Sequence, residues 1–175
     1  STGNNPSAVM GSANTLMEVL KKESPTHIAV VFDTEAPTER HIEFEAYKAH
    51  RQAMPEDLSA ALPYIFKLIE GFKIPVITKD GYEADDIIGT LGKEAEKEGF
   101  MVYCMTPDKD FAQLVSDNIF IYKPARMGNE MGVMGVPEVL AKWPIVNVTQ
   151  VIDILGLMGD AVDNIPGIAG VGQKT

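Results

Sequence analysis

The chain has 175 residues, is 45% hydrophobic, and sets 25 acidic residues against 15 lysines and arginines for a formal charge of −10. Such a length and apolar content suit about one domain with a buried core. The acid excess excludes a basic protein that coats a polyanion by charge alone, but leaves open an enzyme whose carboxylates hold metal. Even the longest unbroken apolar stretches, such as Ile28 to Phe32, are too short for a membrane span. The first basic residue, Lys21, comes too late for a signal-peptide start. Cys104, the only cysteine, excludes an intrachain disulfide and a multi-cysteine zinc site, and a cytoplasmic location is expected.

Taken in chain order, Asn14 to Glu23 reads as an amphipathic helix with Leu16, Val19 and Leu20 on one side. His27 to Asp33 is a run rich in Val and Ile that predicts a buried strand. Glu39 to Gln52 is polar, mixes both charge signs and predicts a helix. Pro55 opens the next helix, through about Glu70, with Glu56 and Asp57 in its first turn. Pro75 to Thr78 is a short strand, and Glu83 to Glu98 a helix stopped by Gly99. Phe100 to Thr106 predicts a strand, Lys109 to Leu114 a short helix and Asn118 to Lys123 a strand. The remainder predicts helix, with turns at Gly156 to Gly159 and Gly167 to Gly172. Strands alternating with helices imply an α/β fold with a mainly parallel central sheet flanked by helices.

In such sheets ligands sit beyond the carboxyl ends of the strands. Acids gather at such ends or at helix starts in four places: Asp33; Glu83, Asp85 and Asp86; Asp108 and Asp110; Asp160 and Asp163, whose spacing lets both share one helical face. Each group also suits an ordinary role, as a helix cap or a solvated turn. Glu83, Asp85 and Asp86 repel one another, however, and their i+4 positions are Ile87, Gly89 and Thr90, so no cation of the same helix answers them. A partner outside the helix is expected, and a hard divalent cation suits carboxylate oxygens. Neutralising the eight acids would take the formal charge from −10 to −2. Two metal ions so held suit phosphodiester hydrolysis without a general-base histidine, and His27, His41 and His50 have no triad context.

The C-terminal run Gly167 to Thr175 tempts a P-loop reading, which fails because Gln173 separates Gly172 from Lys174 and no strand precedes it. A hairpin between two helices fits better. Its glycines let backbone approach a phosphate, Lys174 adds a cation, and such a unit grips a nucleic-acid backbone without reading bases.

Val30-Val31-Phe32-Asp33, Arg40-His41, Tyr47-Lys48-Ala49, Arg51, Gly81 to Asp86, Thr106 to Asp110, Gly159 to Gly167 and Gly170 to Thr175 together resemble the 5′ nuclease domain of bacterial DNA polymerase I, in the flap endonuclease family. The resemblance implies a PIN-like 5′ nuclease fold with a helical arch and a helix–three-turn–helix element. It implies a 5′-3′ exonuclease or 5′-flap endonuclease acting on DNA in replication and repair. Asp33, Glu83, Asp85, Asp86, Asp108, Asp110, Asp160 and Asp163 would hold two or more Mg²⁺ or Mn²⁺ ions. Arg40, Lys48 and Arg51 would stand in the arch as catalytic cations, with Tyr47 stacking on a base. Gly167, Gly170, Gly172 and Lys174 would contact DNA, with K⁺ held at the hairpin. The expected partners are 5′ flaps and nicked or forked duplex, with no membrane, and polymerase domains attached in the parent chain.

By the same resemblance, residues 1–158 form the nuclease core, lacking a first strand that carries another Asp, and residues 159–175 begin the DNA-binding element. A fragment of reduced or no activity is expected. The alternative is a non-catalytic, structure-specific DNA-binding fragment. A related single-strand ribonuclease is weaker, because the glycine hairpin suits duplex DNA.

Overall fold

A computed structural model describes residues 6–123 and 132–172. In chain order the elements are α1 (Pro6–Glu23), β1 (Val30–Val31), α2 (Glu39–Glu43), α3 (Glu56–Gly71), β2 (Val76–Ile77), α4 (Ala84–Lys97), β3 (Val102–Met105), a 3₁₀ helix (Lys109–Leu114), β4 (Ile119–Lys123), β5 (Gly132–Met134), α5 (Val136–Lys142) and α6 (Gln150–Met158). They fall into two compact units, one of Ser1–Thr34 with Gln52–Lys79, the other of Glu35–Arg51 with Asp80–Thr175.

In the first unit β1 and β2 pair in parallel, Val30 beside Val76 and Val31 beside Ile77. Helix α3 presents Ala61, Ile65 and Ile69 at a spacing of four, one apolar stripe, and Leu16 of α1 packs into the same cluster with Ile74. Partly buried Val30 and Phe32 bring the strand end onto this core.

In the second unit β3 and β4 pair in parallel, Val102 beside Ile119 through Met105 beside Tyr122, and β5 pairs antiparallel with β4. The core joins Cys104, Phe111, Ala112, Val115, Ile119, Ile121, Val139, Trp143, Val148 and Val151. Helix α4 lies on β3 where Gly92 faces Val102 and Cys104, leaving no side chain to hold them apart. This packing points the N-terminus of α4 and the carboxyl end of β3 at the same side of the unit.

The observed elements are those of an α/β fold, with parallel pairing in each sheet. Four expectations are corrected. Helix α1 starts at Pro6 rather than Asn14. Gly11 hides that first half, since glycine lowers helix propensity by about 1 kcal/mol. The strand expected over His27 to Asp33 is regular only at Val30–Val31. The helix expected over Glu39 to Gln52 stops at Glu43, because tertiary bonds claim the next residues: Lys48 N–H donates to the Asp163 carbonyl at 3.0 Å and Lys48 sits at φ +55°. The stretch after Lys123, expected to be helical, contains β5, a strand of 3 residues too short to show an alternation.

Candidate functional site

The site is a cleft of about 620 Å³ in the second unit, lined by Glu83, Asp85, Asp86, Asp108, Asp110 and Asp163, by Arg40 and Tyr47, and by Lys93 and Lys97. Three local structures deliver the acids. Glu83 caps α4 in extended backbone (ψ 157°), and its N–H donates to Asp86 Oδ2 at 3.0 Å, so the first turn aims its carboxylates outward at the helix start. Asp108 caps the 3₁₀ helix after β3, accepting from the Asp110 N–H at 2.8 Å. That is the ordinary capping role open to an Asp-x-Asp pair, and it leaves the Asp110 side chain facing inward.

Asp160 and Asp163 do not share a helical face. Asp160 and Ile165 exchange backbone hydrogen bonds of 2.9 and 2.7 Å, closing a tight loop with Asn164 at φ +60°. Asp163 lines the cleft from this loop, while Asp160 is paired with Lys109 at 3.2 Å. Burial alone would raise the Asp160 carboxyl, but the Val162 N–H and Lys109 pull it below the usual range. Asp33 belongs to the first unit, two residues past β1, and is exposed.

The partner that the acidic triplet requires comes in part from the chain itself. Both arms of Arg40 donate to Asp86, at 2.7 Å each. Lys48 Nζ donates to Glu83 Oε1 at 2.6 Å, and Arg51 donates to Asp163 Oδ1. Among the described residues, no three side chains of ligand type stand close enough together to share one ion. Asp110 differs from its neighbours: among the described residues its Oδ1 is buried without a hydrogen-bond partner. Burial first, then the charges of Asp108, Asp160 and Asp163, push its carboxyl up.

Tyr47, expected to stack on a base, is only 5% exposed. Its hydroxyl donates to Glu83 Oε2 at 3.0 Å and reaches Asp163 Oδ2 at 3.3 Å, and its ring lies edge-on to His41, 5.1 Å between centroids. Burial and Glu83 drive its phenol far above the usual tyrosine value.

Gly159 and Gly167 meet back to back. A Cβ on Gly167 would stand 2.1 Å from the Met158 carbonyl oxygen, and one on Gly159 2.3 Å from the Gly167 nitrogen. Both positions thus serve the packing of the Asp160 loop. Gly170 turns the chain at φ +82°. Lys174 lies outside the described residues, as does any helix after Gly172. Sequence reading missed Lys109 as the partner of Asp160; its place between Asp108 and Asp110 was the available signal. The three histidines bond locally or to backbone, His41 Nδ1 with Thr38 Oγ1 at 2.7 Å and His50 Nε2 with the Ala161 carbonyl at 3.0 Å.

An α/β unit that gathers carboxylates from three separate stretches about one cleft, with arginine and lysine laid on them, defines a carboxylate-centred class of domain. The chain belongs to the family described as "5′-3′ exonuclease, N-terminal resolvase-like domain", matched over residues 1–144. It is 43% identical over 173 residues to DNA polymerase I of Bacillus subtilis (strain 168), covering 99% of this chain and 20% of that protein. It is 40% identical over 175 residues to the thermostable DNA polymerase I of Thermus thermophilus, covering 100% of this chain and again 20% of the relative. The chain thus spans about a fifth of the length of the curated relatives it matches. Among solved structures it is similar to the T5 5′-exonuclease with divalent zinc bound, with a TM-score of 0.77 at 22% identity over 95% of this chain and 64% of the other. A bacteriophage T5 flap endonuclease in a pseudo-enzyme-product complex with DNA and metal ions is similar at TM-score 0.77 and 22% identity, over 95% and 63%. These two likenesses establish the fold.

Proposed function

We propose that the chain is a metal-dependent 5′ nuclease domain that hydrolyses phosphodiester bonds in DNA at 5′ flaps and at nicked or forked duplex ends. The observation that carries this reading is the convergence of Glu83, Asp85, Asp86, Asp108, Asp110 and Asp163 on one cleft, with Asp110 Oδ1 buried beside it and, among the described residues, without a hydrogen-bond partner. Membership of a 5′-3′ exonuclease family supports it.

The donor chemistry, rather than the present spacing, fits a divalent metal: among the described residues no three ligand-type side chains stand close enough to share one ion. The donors are all carboxylate oxygens, the set that hard cations such as Mg²⁺ and Mn²⁺ select. The buried Asp110 oxygen has no other partner among the described residues, and a nearby dication would remove the repulsion that raises its carboxyl. Glu83, Asp85, Asp86, Asp108, Asp110, Asp160 and Asp163 would hold the metal. When bound, two such ions supply an activated water and a counter-charge for the leaving oxygen. The T5 relatives with metal ions, one of them zinc, support a divalent cofactor.

Arg40, Lys48 and Arg51 would neutralise the phosphate, a role suited to guanidinium and ammonium groups. The turn at Gly170 and the following Gly172 and Lys174 would bring backbone and one cation to the duplex, with K⁺ bound there. Residues 1–158 would form the nuclease core and residues 159–175 the start of the DNA-binding element. In the parent chain polymerase domains would follow, as the names of the matched relatives suggest.

The test is cleavage of a 5′-labelled flap duplex with Mg²⁺ and with chelator. Mg²⁺-dependent release of the flap that Asp85→Asn abolishes is expected. Flap binding without metal-dependent cleavage, by this chain and by its longer parent alike, would instead establish a non-catalytic binding domain.

A further inference from the structure

We propose that the stretch from Arg40 to Arg51 is a latch: its cations occupy the carboxylates that divalent metal needs, so metal loading and release of this stretch are one event. This rests on the proposed metal-dependent reading of the cleft.

Three cations of one 12-residue stretch each stand on a different acid. Arg40 takes Asp86, Lys48 takes Glu83, and Arg51 takes Asp163. Lys48 is the innermost, its side chain 17% exposed against 47% for Arg40 and 50% for Arg51. The backbone fastens the same stretch to the Asp163 loop. Lys48 N–H donates to the Asp163 carbonyl at 3.0 Å, and Asn164 Nδ2 donates to the Ala46 carbonyl at 2.7 Å.

These contacts compete with a bound dication for the same carboxylates. A hard cation such as Mg²⁺ on the carboxylate oxygen that accepts from Lys48 at 2.6 Å would stand about 2.0–2.1 Å from that oxygen. The ammonium would then lie against a double positive charge in a half-buried site, where repulsion is weakly screened. The same cations are those the proposed function assigns to phosphate, and every donor they spend on a protein carboxylate is one the phosphate loses. Metal therefore does two things in this arrangement: it takes the acids, and it frees Arg40, Lys48 and Arg51 for the substrate. The latch is also poised to open. Lys48 holds φ +55°, a conformation disfavoured for a residue with a Cβ, and two of its three pairs are half-exposed and individually weak.

Two measurements test this. Mn²⁺ binding is followed by calorimetry for the unmodified protein, Lys48→Met and Lys93→Met. Lys93 lines the same cleft but pairs with Glu96, outside the proposed ligand set, so it reports the effect of simply removing a charge. Lys48→Met should tighten Mn²⁺ binding about tenfold, as expected when a competitor that closes most of the sites is removed. Lys93→Met should change it about twofold or less, through a screened charge effect alone. In parallel, trypsin cleavage after Lys48 and Arg51 of the unmodified protein should quicken about tenfold with saturating Mn²⁺ over chelator, as the closed fraction falls.

Equal tightening in both variants, or tryptic cleavage unchanged or slowed by Mn²⁺, would overturn the latch while leaving the metal site standing. Absence of Mn²⁺ binding in all three proteins would overturn the metal reading and the latch with it. If Lys48→Met fails to fold, the tryptic rates of the unmodified protein decide alone.

Discussion

Arg40 sets both arms of its guanidinium on the two carboxylate oxygens of Asp86, each at 2.7 Å, across 46 positions of sequence. The fork ties α2 to the first turn of α4 and holds the Asp86 carboxyl below the usual aspartate range. Lysine offers a point charge and loses the second arm. Arg40→Lys should therefore cost about 0.5–1 kcal/mol in metal-free urea unfolding at neutral pH, a discounted figure because the pair is partly exposed. The sign with pH follows from the lowered carboxyl: the stability is present above the unfolded aspartate value and is lost as pH falls through the folded one. The gap between the two proteins should close on acidification; a gap that stays constant would separate Asp86 from the effect.

Asp110 points the other way. Its Oδ1 is buried without a partner among the described residues, and its carboxyl is raised by burial and by the neighbouring acids. A raised carboxyl favours the protonated folded state, so its contribution is greatest below the unfolded value and lost as pH rises through the folded one. Asp110→Asn should accordingly stabilise the metal-free protein by about 1 kcal/mol at pH 7, the low end for relieving an unsatisfied buried group. The gain should fade toward acid pH. Mn²⁺ affinity should drop in the same variant, which would mark Asp110 as a site residue kept at the expense of stability. Melting curves and calorimetry across pH check both halves.

Gly159 and Gly167 hold the Asp160 loop by touching backbone to backbone. Gly159→Ala, with φ +70° and a Cβ placed 2.3 Å from the Gly167 nitrogen, should destabilise by about 3 kcal/mol or more, since strain and collision add. Gly170→Ala has φ +82° but open space around its Cβ, and should cost only about 1–2 kcal/mol. Equal losses in denaturant unfolding would mean that the close approach is not what selects glycine at Gly159.

The Tyr47 hydroxyl bridges Glu83 and Asp163, carboxylates from different parts of the chain. Tyr47→Phe keeps the ring against His41 and removes the bridge, so a loss of about 1 kcal/mol is expected. Because burial and Glu83 raise the phenol, the native protein gives up stability as pH climbs past the ordinary tyrosine value, where only the unfolded chain ionises. Tyr47→Phe should remove that part of the alkaline decline, seen as a flatter stability profile above about pH 10.

Where local signals decide structure, the sequence is legible. Glu83 as a cap, Gly99 as a stop and Pro55 before an acidic first turn place α4 and α3 within a residue or so of their ends. The 3₁₀ helix Lys109–Leu114 falls at the limits its sequence predicts. The need of Glu83, Asp85 and Asp86 for a partner beyond their own helix is likewise visible, because i+3 and i+4 neighbours are countable without a structure.

The groups that answer that need are not countable in the same way. Which cation meets which acid depends on the loop at Asp160 to Ile165 and on the turns after α2 ends at Glu43. The two are joined by hydrogen bonds between residues more than a hundred positions apart, such as Lys48 to Asp163 and Asn164 to Ala46. Strand β5 exists because β4 offers it a free edge, not because its three residues carry a strand pattern. The composition and spacing of this chain determined that its acids gather at strand ends and helix starts. Only the tertiary structure decided that Tyr47, expected to stack on a base, is buried between two carboxylates, and that Asp110 keeps a buried oxygen without a partner among the described residues. Burial and long-range pairing are properties of the packed chain, and no window of sequence contains them.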